Sequence, residues 1–336
     1  MVFNGQSSTL VSITSGIPQG SILCLLFFLL YSADIPSIAG MHGIHVHCYA
    51  DDGQLYLFDK AGMAGSIISN TVACISEIDS WMSSNRLRLN SDKTQFTWIG
   101  TTQQLKKLDI PSINLGSNTV QFQQSVNNLG VTVDENLTMR DHVKKICCSS
   151  FYQLRQLRVV RKSLSTKACE ALVHAFVSSR LDYCNCLLYG IAEKTLDQLQ
   201  SVLRAAARLV LRKRKYDSIS ADIRDKLHWL PIRQRIEYKL CMMVYKCRHD
   251  EAPIYLSELL LPVNKSGRQN LRSGDRVTTH DLVIPRTNSA RSGPRSFSVS
   301  GPTIWNSLPH SIRDSASVDI FRKNVKTFLF GKAYDD

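Results

Sequence analysis

The sequence predicts an α+β fold in which a mixed part precedes a helical part. Apolar residues make up 43% of the 336 residues, which is enough for a sizeable core. Up to residue 139, short alternating segments are interspersed with helical patterns, and from about residue 140 the apolar period is helical. Residues 1–139 hold 6 Lys+Arg and 10 Asp+Glu, whereas residues 140–336 hold 35 and 18. This asymmetry favours chemistry in the first part and polyanion binding in the second, with an ordinary basic surface as the alternative.

The composition argues against a secreted disulfide framework and against a membrane partner. The 10 cysteines are scattered and no secretory signal is visible, so we expect reduced thiols. The longest apolar run, Ile22–Tyr31, is too short to span a bilayer and predicts a buried helix.

A β-hairpin is predicted from two short apolar segments separated by a turn. Residues 44–48 alternate between apolar and polar, and residues 55–58 form the second apolar segment. The sequence Ala-Asp-Asp-Gly at residues 50–53 is typical of a tight turn, so Asp51 and Asp52 are expected near the hairpin tip.

Further elements follow from periodicity. Helices are predicted at residues 64–85, 232–247 and 318–330, and short strands at 96–99 and 129–133. Two more helices carry apolar stripes, which consist of Ala171, Leu172, Ala175 and Phe176, and of Leu196, Leu199, Leu203, Ala206, Leu209 and Val210. Residues 264–300, with 7 Lys+Arg and 2 Asp+Glu, predict a basic loop.

Two local motifs suggest chemistry. Adjacent carboxylates in a turn suit Mg²⁺, which binds one or two carboxylates together with substrate phosphates. The alternative is a simple turn without a metal, because Asp-Asp-Gly is also a common turn sequence. The second motif, at residues 16–21, combines two glycines, a proline and a glutamine, and it could let a backbone approach a ligand or simply begin a helix.

Together, in this order and spacing, the two motifs resemble the reverse transcriptase of non-LTR (LINE-type) retrotransposons. Residues 16–23 are similar to the family's G-x-P-Q-G-S-x-L motif, and residues 49–52 to its YADD motif. Residues 81–94 and 128–131 resemble two following motifs, and 227–232 with 305–309 resemble segments downstream of the polymerase in one LINE branch. The resemblance implies a partial polymerase palm at 1–139, a helical basic thumb at 140–225 and a mostly helical C-terminal extension at 226–336.

The resemblance also implies roles and partners. Asp51 would be a metal ligand, with Asp52 supporting it, and Lys93 would be a general acid or a positive charge beside the leaving pyrophosphate, a solvated lysine being the alternative. Mg²⁺, with Mn²⁺ as a second option, would be the cofactor, and an RNA template, a DNA primer and deoxynucleoside triphosphates would be the partners in the nucleus. Nucleotide and template would contact the following residues: Gly16, Pro18, Gln19, Gly20, Ser21 and Tyr49.

The chain also departs from the family pattern. The family has a further essential aspartate before the G-x-P-Q-G motif, but none of the fifteen residues before Gly16 is acidic. Asp34 lies where the family has a structural residue, and Cys24 and Leu25 replace its usual Gly-Pro. We therefore expect a C-terminal fragment of a polymerase that is inactive alone, and the alternative is a non-catalytic nucleic-acid-binding remnant of a retroelement.

The basic half offers candidate phosphate contacts. The run at residues 212–215 could bind phosphates, serve in nuclear import or simply end a helix. Sequence-tolerant RNA binding is a second option for six arginines, namely Arg268, Arg272, Arg276, Arg286, Arg291 and Arg295. The group formed by His42, His45, His47 and Cys48 does not predict a metal site, since His45 and His47 lie opposite Cys48 on a strand.

Overall fold

A computed structural model describes residues 2–3, 6–7, 22–108, 110–115, 118–263, 281–287 and 289–334. The chain divides into two compact units, Met1–Leu129 and Gly130–Asp336. The divisions predicted after residues 139 and 225 both fall inside the second unit. The motif at residues 16–21 lies outside the described residues, as do Arg268, Arg272 and Arg276.

The first unit combines short strands with helices. Its helices are α1 (Ile22–Tyr31), α2 (Ile35–Met41), α3 (Ala64–Ser84) and α4 (Thr102–Leu105). Its strands are β1 (Val2–Phe3), β2 (Gln6–Ser7), β3 (His45–Tyr49), β4 (Asp52–Tyr56), β5 (Ser112–Leu115), β6 (Asn118–Gln121) and β7 (Ser125–Asn128). Three antiparallel pairs form within it, β1 with β2, β3 with β4, and β5 with β6.

A small core holds the β3–β4 hairpin against α2 and α3. The apolar residues of α3 recur at helical spacing, as the sequence predicts, and they turn Cys74 and Ile78 inward. Ile38 and Ala39 of α2 and Ile44 before β3 complete the buried cluster. One face of the hairpin is therefore fixed by packing, and its tip is left to solvent.

Helix α1 forms at the predicted residues, but the prediction that it is buried is wrong. Most of its described side chains are exposed, and Leu30 is 73% accessible. Helix α1 ends at Tyr31, and α2 begins at Ile35 after a turn. Among the described residues, Leu23–Met41 is the one stretch long and apolar enough to cross a membrane, with a mean hydropathy of 1.7. Core helices of soluble proteins meet the same criterion, so the finding does not establish a span.

The strand predicted at residues 96–99 is not formed. Phe96 makes only an isolated bridge with Phe122, whose ring stacks on Trp98 at 4.9 Å between centroids. The strand predicted at 129–133 begins two residues later, as β8 (Val131–Asp134). Its start moves because Leu129 and Gly130 have positive φ angles, 45° and 81°, which belong to a turn rather than a strand.

The second unit is helical apart from β8 and irregular segments. Its long helices are α5 (Arg140–Val160), α8 (Glu193–Val210), α10 (Ile232–Arg248) and α14 (Val318–Tyr334). The shorter ones are α6 (Thr166–Val173), α7 (Ser179–Asp182), α9 (Ser220–Asp222), α11 (Ile254–Ser257), α12 (Phe297–Asn306) and α13 (His310–Arg313). The helices predicted at 232–247 and 318–330 are thus confirmed to within a few residues.

One continuous apolar cluster joins these helices. The stripe predicted on α8 is buried as expected, including Leu199 and Leu203. Farther along the chain, Tyr245, Trp305 and Phe321 bring α10, α12 and α14 together, with ring centroids of Tyr245 and Phe321 4.3 Å apart. Residues 140–225 and 226–336 therefore share a core.

Two predictions in this unit are wrong in detail. The stripe containing Ala171, Ala175 and Phe176 is largely exposed, and Cys169, Val173 and Val177 are buried instead. These two sets lie on different faces of the helix, and a π-helical turn at His174–Ser178 shifts the phase further. Residues 297–300 belong to α12 rather than to a basic loop.

Candidate functional site

The hairpin predicted around residues 50–53 is confirmed. In the antiparallel register Tyr49 lies opposite Asp52, and Ala50 and Asp51 form the two-residue turn between them. Ala50 adopts a φ of 53°, the left-handed conformation that such tight turns require. The pairing starts earlier than predicted because Asp52 and Gly53 already belong to β4. Both carboxylates are thereby placed at the tip.

The tip is polar, open and negatively charged. Asp51 and Asp52 are exposed, and Tyr49 is 66% accessible. Among the described residues, neither carboxylate has a hydrogen bond or an ion pair. A Cβ added at Gly53 would meet nothing within 4 Å, so the face of β4 opposite Asp52 is also open next to the tip. Two adjacent uncompensated charges repel one another, and a cation would relieve that repulsion.

A side-chain hydrogen bond links the hairpin to the end of β7. Gln54 Nε2 donates to Asn128 Oδ1 at 2.5 Å. Gln54 lies two residues after Asp52, and so on the same face of β4. Asn128 begins the motif at 128–131 that the resemblance singles out. The sequence analysis did not single out Gln54, and its period-2 spacing from Asp52 is the signal that could have found it.

The histidines around the hairpin have structural contacts. His42 Nε2 lies 2.7 Å from Glu77 Oε2 of α3. His45 stacks on Tyr56 across the hairpin with ring centroids 5.2 Å apart. Cys48 on the opposite face is exposed, and partial desolvation raises the pKa of its thiol, which disfavours the thiolate a metal would need. Within the described part of the chain, no three His, Cys, Asp or Glu residues are grouped to hold a metal ion.

The remaining predicted site residues are not brought to the tip by any contact in the structure. Lys93 is exposed in the turn after α3, where its backbone N–H donates to Asn90. No hydrogen bond or ion pair between described residues joins it to either aspartate. Asp34 begins α2, and its carbonyl accepts the N–H of Ile38 at 3.1 Å, which is a structural role. Gly16, Pro18, Gln19, Gly20 and Ser21 lie outside the described residues.

A basic stripe on α5 is a second candidate site. Its members are exposed and have no ion-pair partner among the described residues. They lie about one or two turns apart along the chain, at spacings of four, eight, three and seven residues, so they share one side of the helix. The α5 stripe consists of Arg140, Lys144, Tyr152, Arg155 and Lys162, the last in the turn after the helix. The α5 stripe is not among the predicted sites, although the helical spacing of its cations is a signal that the sequence contains.

The run at residues 212–215 is partly engaged within the protein. Lys213 pairs with Asp222, and this hydrogen bond, with a second from Lys226, lowers the pKa of the Asp222 carboxyl. Arg212 donates to the carbonyl of Leu164 at 3.2 Å. These contacts fix the chain after α8 and favour the structural interpretation for two of the four residues.

Likewise, Arg295 donates to the carbonyls of Leu137 and Tyr189, at 2.5 and 3.3 Å. Burial lowers the pKa of its guanidinium. Its contacts connect distant parts of the second unit, and phosphate binding is not needed to explain this arginine.

Comparison with known proteins shows which family the region around the hairpin is similar to. Residues 1–133 match the family described as reverse transcriptase (RNA-dependent DNA polymerase). This part of the chain is therefore similar to a reverse transcriptase domain. The reverse transcriptase match includes the whole hairpin, α3 and the first residues of β8, and it ends before α5.

Curated relatives extend the similarity beyond this part of the chain. The chain is 22% identical over 201 residues to the RNA-directed DNA polymerase from mobile element jockey of Drosophila melanogaster, covering 57% of this chain and 21% of that protein. It is 24% identical over 204 residues to the probable RNA-directed DNA polymerase from transposon BS of the same species, covering 58% and 22%. The chain thus spans about a fifth of the length of these relatives. No solved structure matches. The resemblance to LINE-type reverse transcriptases is confirmed.

Proposed function

We propose that this chain is the part of a LINE-type RNA-directed DNA polymerase that carries its catalytic hairpin. The observation that carries the proposal is the position of Asp51 and Asp52, exposed and uncompensated at the tip of a tight hairpin within a region similar to a reverse transcriptase domain. The reaction would be RNA-templated transfer of a deoxynucleotide onto the 3′-hydroxyl of a DNA primer.

The donor chemistry of the tip fits a divalent ion. Carboxylate oxygens are the ligands that Mg²⁺ prefers, and one or two of them with substrate phosphates suffice. Mn²⁺ accepts the same oxygen ligands. Asp51 and Asp52 would hold the ion, which would lower the charge barrier between the primer oxygen and the nucleotide phosphates.

Neighbouring residues would orient the substrates. Tyr49 is exposed opposite Asp52, where it can contact a nucleotide. Through Asn128, Gln54 would hold the segment that follows β7 in register with the hairpin. Lys93 would protonate the leaving pyrophosphate as a general acid or place a positive charge beside it. Gly16 to Ser21 would bind the template and the nucleotide, in keeping with the family motif.

The chain by itself is not expected to extend a primer. Nucleotidyl transfer by two metal ions needs a clamp on both the attacking and the leaving oxygen, and the tip supplies only two adjacent carboxylates. No larger cluster of metal-binding side chains occurs in the described parts of the chain.

Primer extension tests these proposals. The purified chain would be compared with a longer protein of the same element that extends it toward the N-terminus, each on a primed RNA template with Mg²⁺. We expect extension by the longer protein only, abolished by Asp51→Ala and retained by Asp59→Asn, a control at an exposed loop position. Extension by this chain alone, lost in Asp51→Ala, would refute the proposed inactivity. Full activity of the longer Asp51→Ala variant would refute the catalytic role.

The α5 stripe supports a second candidate function, non-catalytic nucleic-acid binding. Four cations on one exposed side of a helix can neutralise phosphates, and Tyr152 among them can stack on a base. Filter binding of RNA over a salt series tests this. Lys144→Gln with Arg155→Gln should weaken binding and reduce the salt slope by about 0.7 for each phosphate of a single strand that the variant no longer neutralises. Lys194→Gln on α8 is the control, because it removes one positive charge outside the stripe. A decrease in RNA affinity and salt slope that is as large in this control as in the double variant would refute a specific role of α5.

A further inference from the structure

A cleft lies between α14 and the turn that precedes α10. It has a volume of about 280 Å³ and is lined by His228, Lys326, Thr327 and Phe330. This size is close to the roughly 300 Å³ at which small-ligand sites begin. The cleft lies in the second unit, far along the chain from the hairpin and outside residues 1–133, and none of its lining residues belongs to the α5 stripe.

The two walls of the cleft are held together. His228 follows the π-helical turn Ile223–Leu227 and adopts a φ of 50°, which is uncommon for a residue with a side chain. The next residue, Trp229, is 4% accessible and anchors the turn in the core. Its carbonyl accepts the hydroxyl of Tyr334 at the end of α14, at 2.8 Å. The geometry of the cleft is therefore fixed before any ligand arrives.

Two aromatic rings, those of His228 and Phe330, line the cleft, and the ring of Tyr334 packs against Phe330. The rings of His228 and Phe330 are 6.1 Å apart between centroids, and those of Phe330 and Tyr334 are 4.8 Å apart. His228 is exposed, whereas Phe330 is half-buried. The planes of these two rings are inclined at 50°, so a planar base can stack on the exposed ring of His228 with Phe330 at its edge.

The charge around the rings is positive. Lys326 lines the cleft, and it is exposed without an ion-pair partner among the described residues. Lys323, one turn earlier on α14, is likewise exposed and unpaired in the described structure. The carboxylate nearest in sequence to His228 is Asp225, which already pairs with Arg224 at 2.6 Å. The cleft thus combines stacking rings, an exposed cation and little competing negative charge.

We propose that this cleft binds one nucleotide of a single-stranded nucleic acid, with the base against His228 and Phe330 and the phosphate on Lys326. The inference rests on the proposed binding of nucleic acid by this chain and adds a second contact region to the α5 stripe. The hydroxyl of Thr327 donates to the carbonyl of Lys323 at 3.0 Å, so it would accept a hydrogen bond from the sugar rather than donate one to the phosphate.

Fluorescence anisotropy with the full chain tests the cleft. The probes are labelled oligouridylate RNA and oligothymidylate DNA of about 15 nucleotides, in the size range of such sites. Asparagine tolerates positive φ, so His228→Asn removes the ring without straining the turn. We expect it to weaken binding about fivefold or more, the lower end for one stacked base. Lys326→Gln should reduce the salt slope by about 0.7, whereas Lys323→Gln, with the same charge loss on the same helix, should change it less.

The outcomes separate the cleft from the wider proposal. If the chain binds and the α5 double variant weakens binding, but His228→Asn and Lys326→Gln behave like Lys323→Gln, the cleft is refuted and nucleic-acid binding stands. If only the cleft variants weaken binding, the cleft is supported and the role of α5 is refuted. If the chain binds neither the RNA probe nor the DNA probe, both the cleft and the wider proposal of nucleic-acid binding are refuted. Weakening with RNA alone identifies the ligand as RNA, and weakening with DNA alone identifies it as DNA.

Discussion

Replacing Arg161 should destabilise the second unit strongly without affecting its binding of nucleic acid. Arg161 directly follows α5, and it is only 6% accessible despite its charge. Its Nε donates to the carbonyl of Leu209 at 2.8 Å, and one terminal nitrogen donates to that of Val210 at 2.7 Å. These are carbonyls of the last turn of α8, which have no partner within the helix. A third bond goes to Leu164, whose carbonyl Arg212 also contacts.

The cost follows from these contacts. Arg161→Met keeps most of the apolar volume of the side chain and removes all three donors. Leu164 retains the Arg212 side chain as a donor, and Leu209 retains a long bond of 3.4 Å from the backbone N–H of Arg212. The loss therefore comes from the two charge-assisted bonds to α8 and falls most heavily on the carbonyl of Val210. A hydrogen bond from a charged group contributes about 1.5–3 kcal/mol, so the free energy of unfolding should fall by about 3–5 kcal/mol. For a unit of this size each kcal/mol corresponds to about 2–4 °C, which gives a decrease of about 6–20 °C in Tm.

Thermal unfolding followed by circular dichroism at 222 nm, a helix-sensitive wavelength, measures the change. Lys162→Met is the matched control, because Lys162 is adjacent and exposed and should shift Tm by no more than about 2 °C. The salt slope of RNA binding should be unchanged in Arg161→Met below its Tm, because this guanidinium is occupied by carbonyls. A Tm equal to that of the control, or a reduced salt slope, would refute the reasoning.

Three further predictions concern the second unit. Trp305→Ala should lower the free energy of unfolding by about 3–5 kcal/mol, because this side chain is fully buried in the shared core. A chemical denaturation midpoint equal to that of the wild type would contradict this prediction. The side-chain amide of Asn306 makes hydrogen bonds with both the N–H and the carbonyl of Leu282. Asn306→Leu should therefore lower the free energy of unfolding by about 2–4 kcal/mol and speed proteolysis at residues 281–287. An unchanged cleavage rate would show that these hydrogen bonds do not hold the segment in place. Burial lowers the pKa of His142, so the unfolded chain binds this proton more readily and stability should fall as pH drops below about 6.5. Tm measured between pH 7.5 and pH 5 should decline less in His142→Gln, and an equal decline in both proteins would exclude this histidine as the cause.

The contrast between Arg155 and Arg161 shows where sequence reasoning stops. Both are arginines at the carboxy-terminal end of one basic helical stretch, and nothing local distinguishes them. The first is exposed and free of ion pairs within the described structure, and the second is buried against carbonyls that lie 48 and 49 residues away. Such hydrogen bonds depend on the packing of α8, which a local pattern does not contain.

The errors in the helices have a similar origin. The exposure of α1 could not be read from its composition, since apolar residues predict burial wherever they occur. On α6, several apolar faces satisfy the helical period, and only the neighbouring helices decide that Cys169, Val173 and Val177 are inward. Residues 297–300 belong to α12, which packs on α10, in spite of a composition rich in serine and arginine before them.

By itself, the sequence determined the features that depend on neighbours along the chain. Alternating residues around Ala-Asp-Asp-Gly define the hairpin and place Asp51 and Asp52 at its tip, and the motifs of the first 133 residues carry the similarity to reverse transcriptases. Tertiary structure alone decided the link from Gln54 to Asn128, the buried roles of Arg161 and Arg295, and the cleft at His228. These features join residues dozens to more than a hundred positions apart, and their energies arise from desolvation and close packing that exist only once distant segments meet.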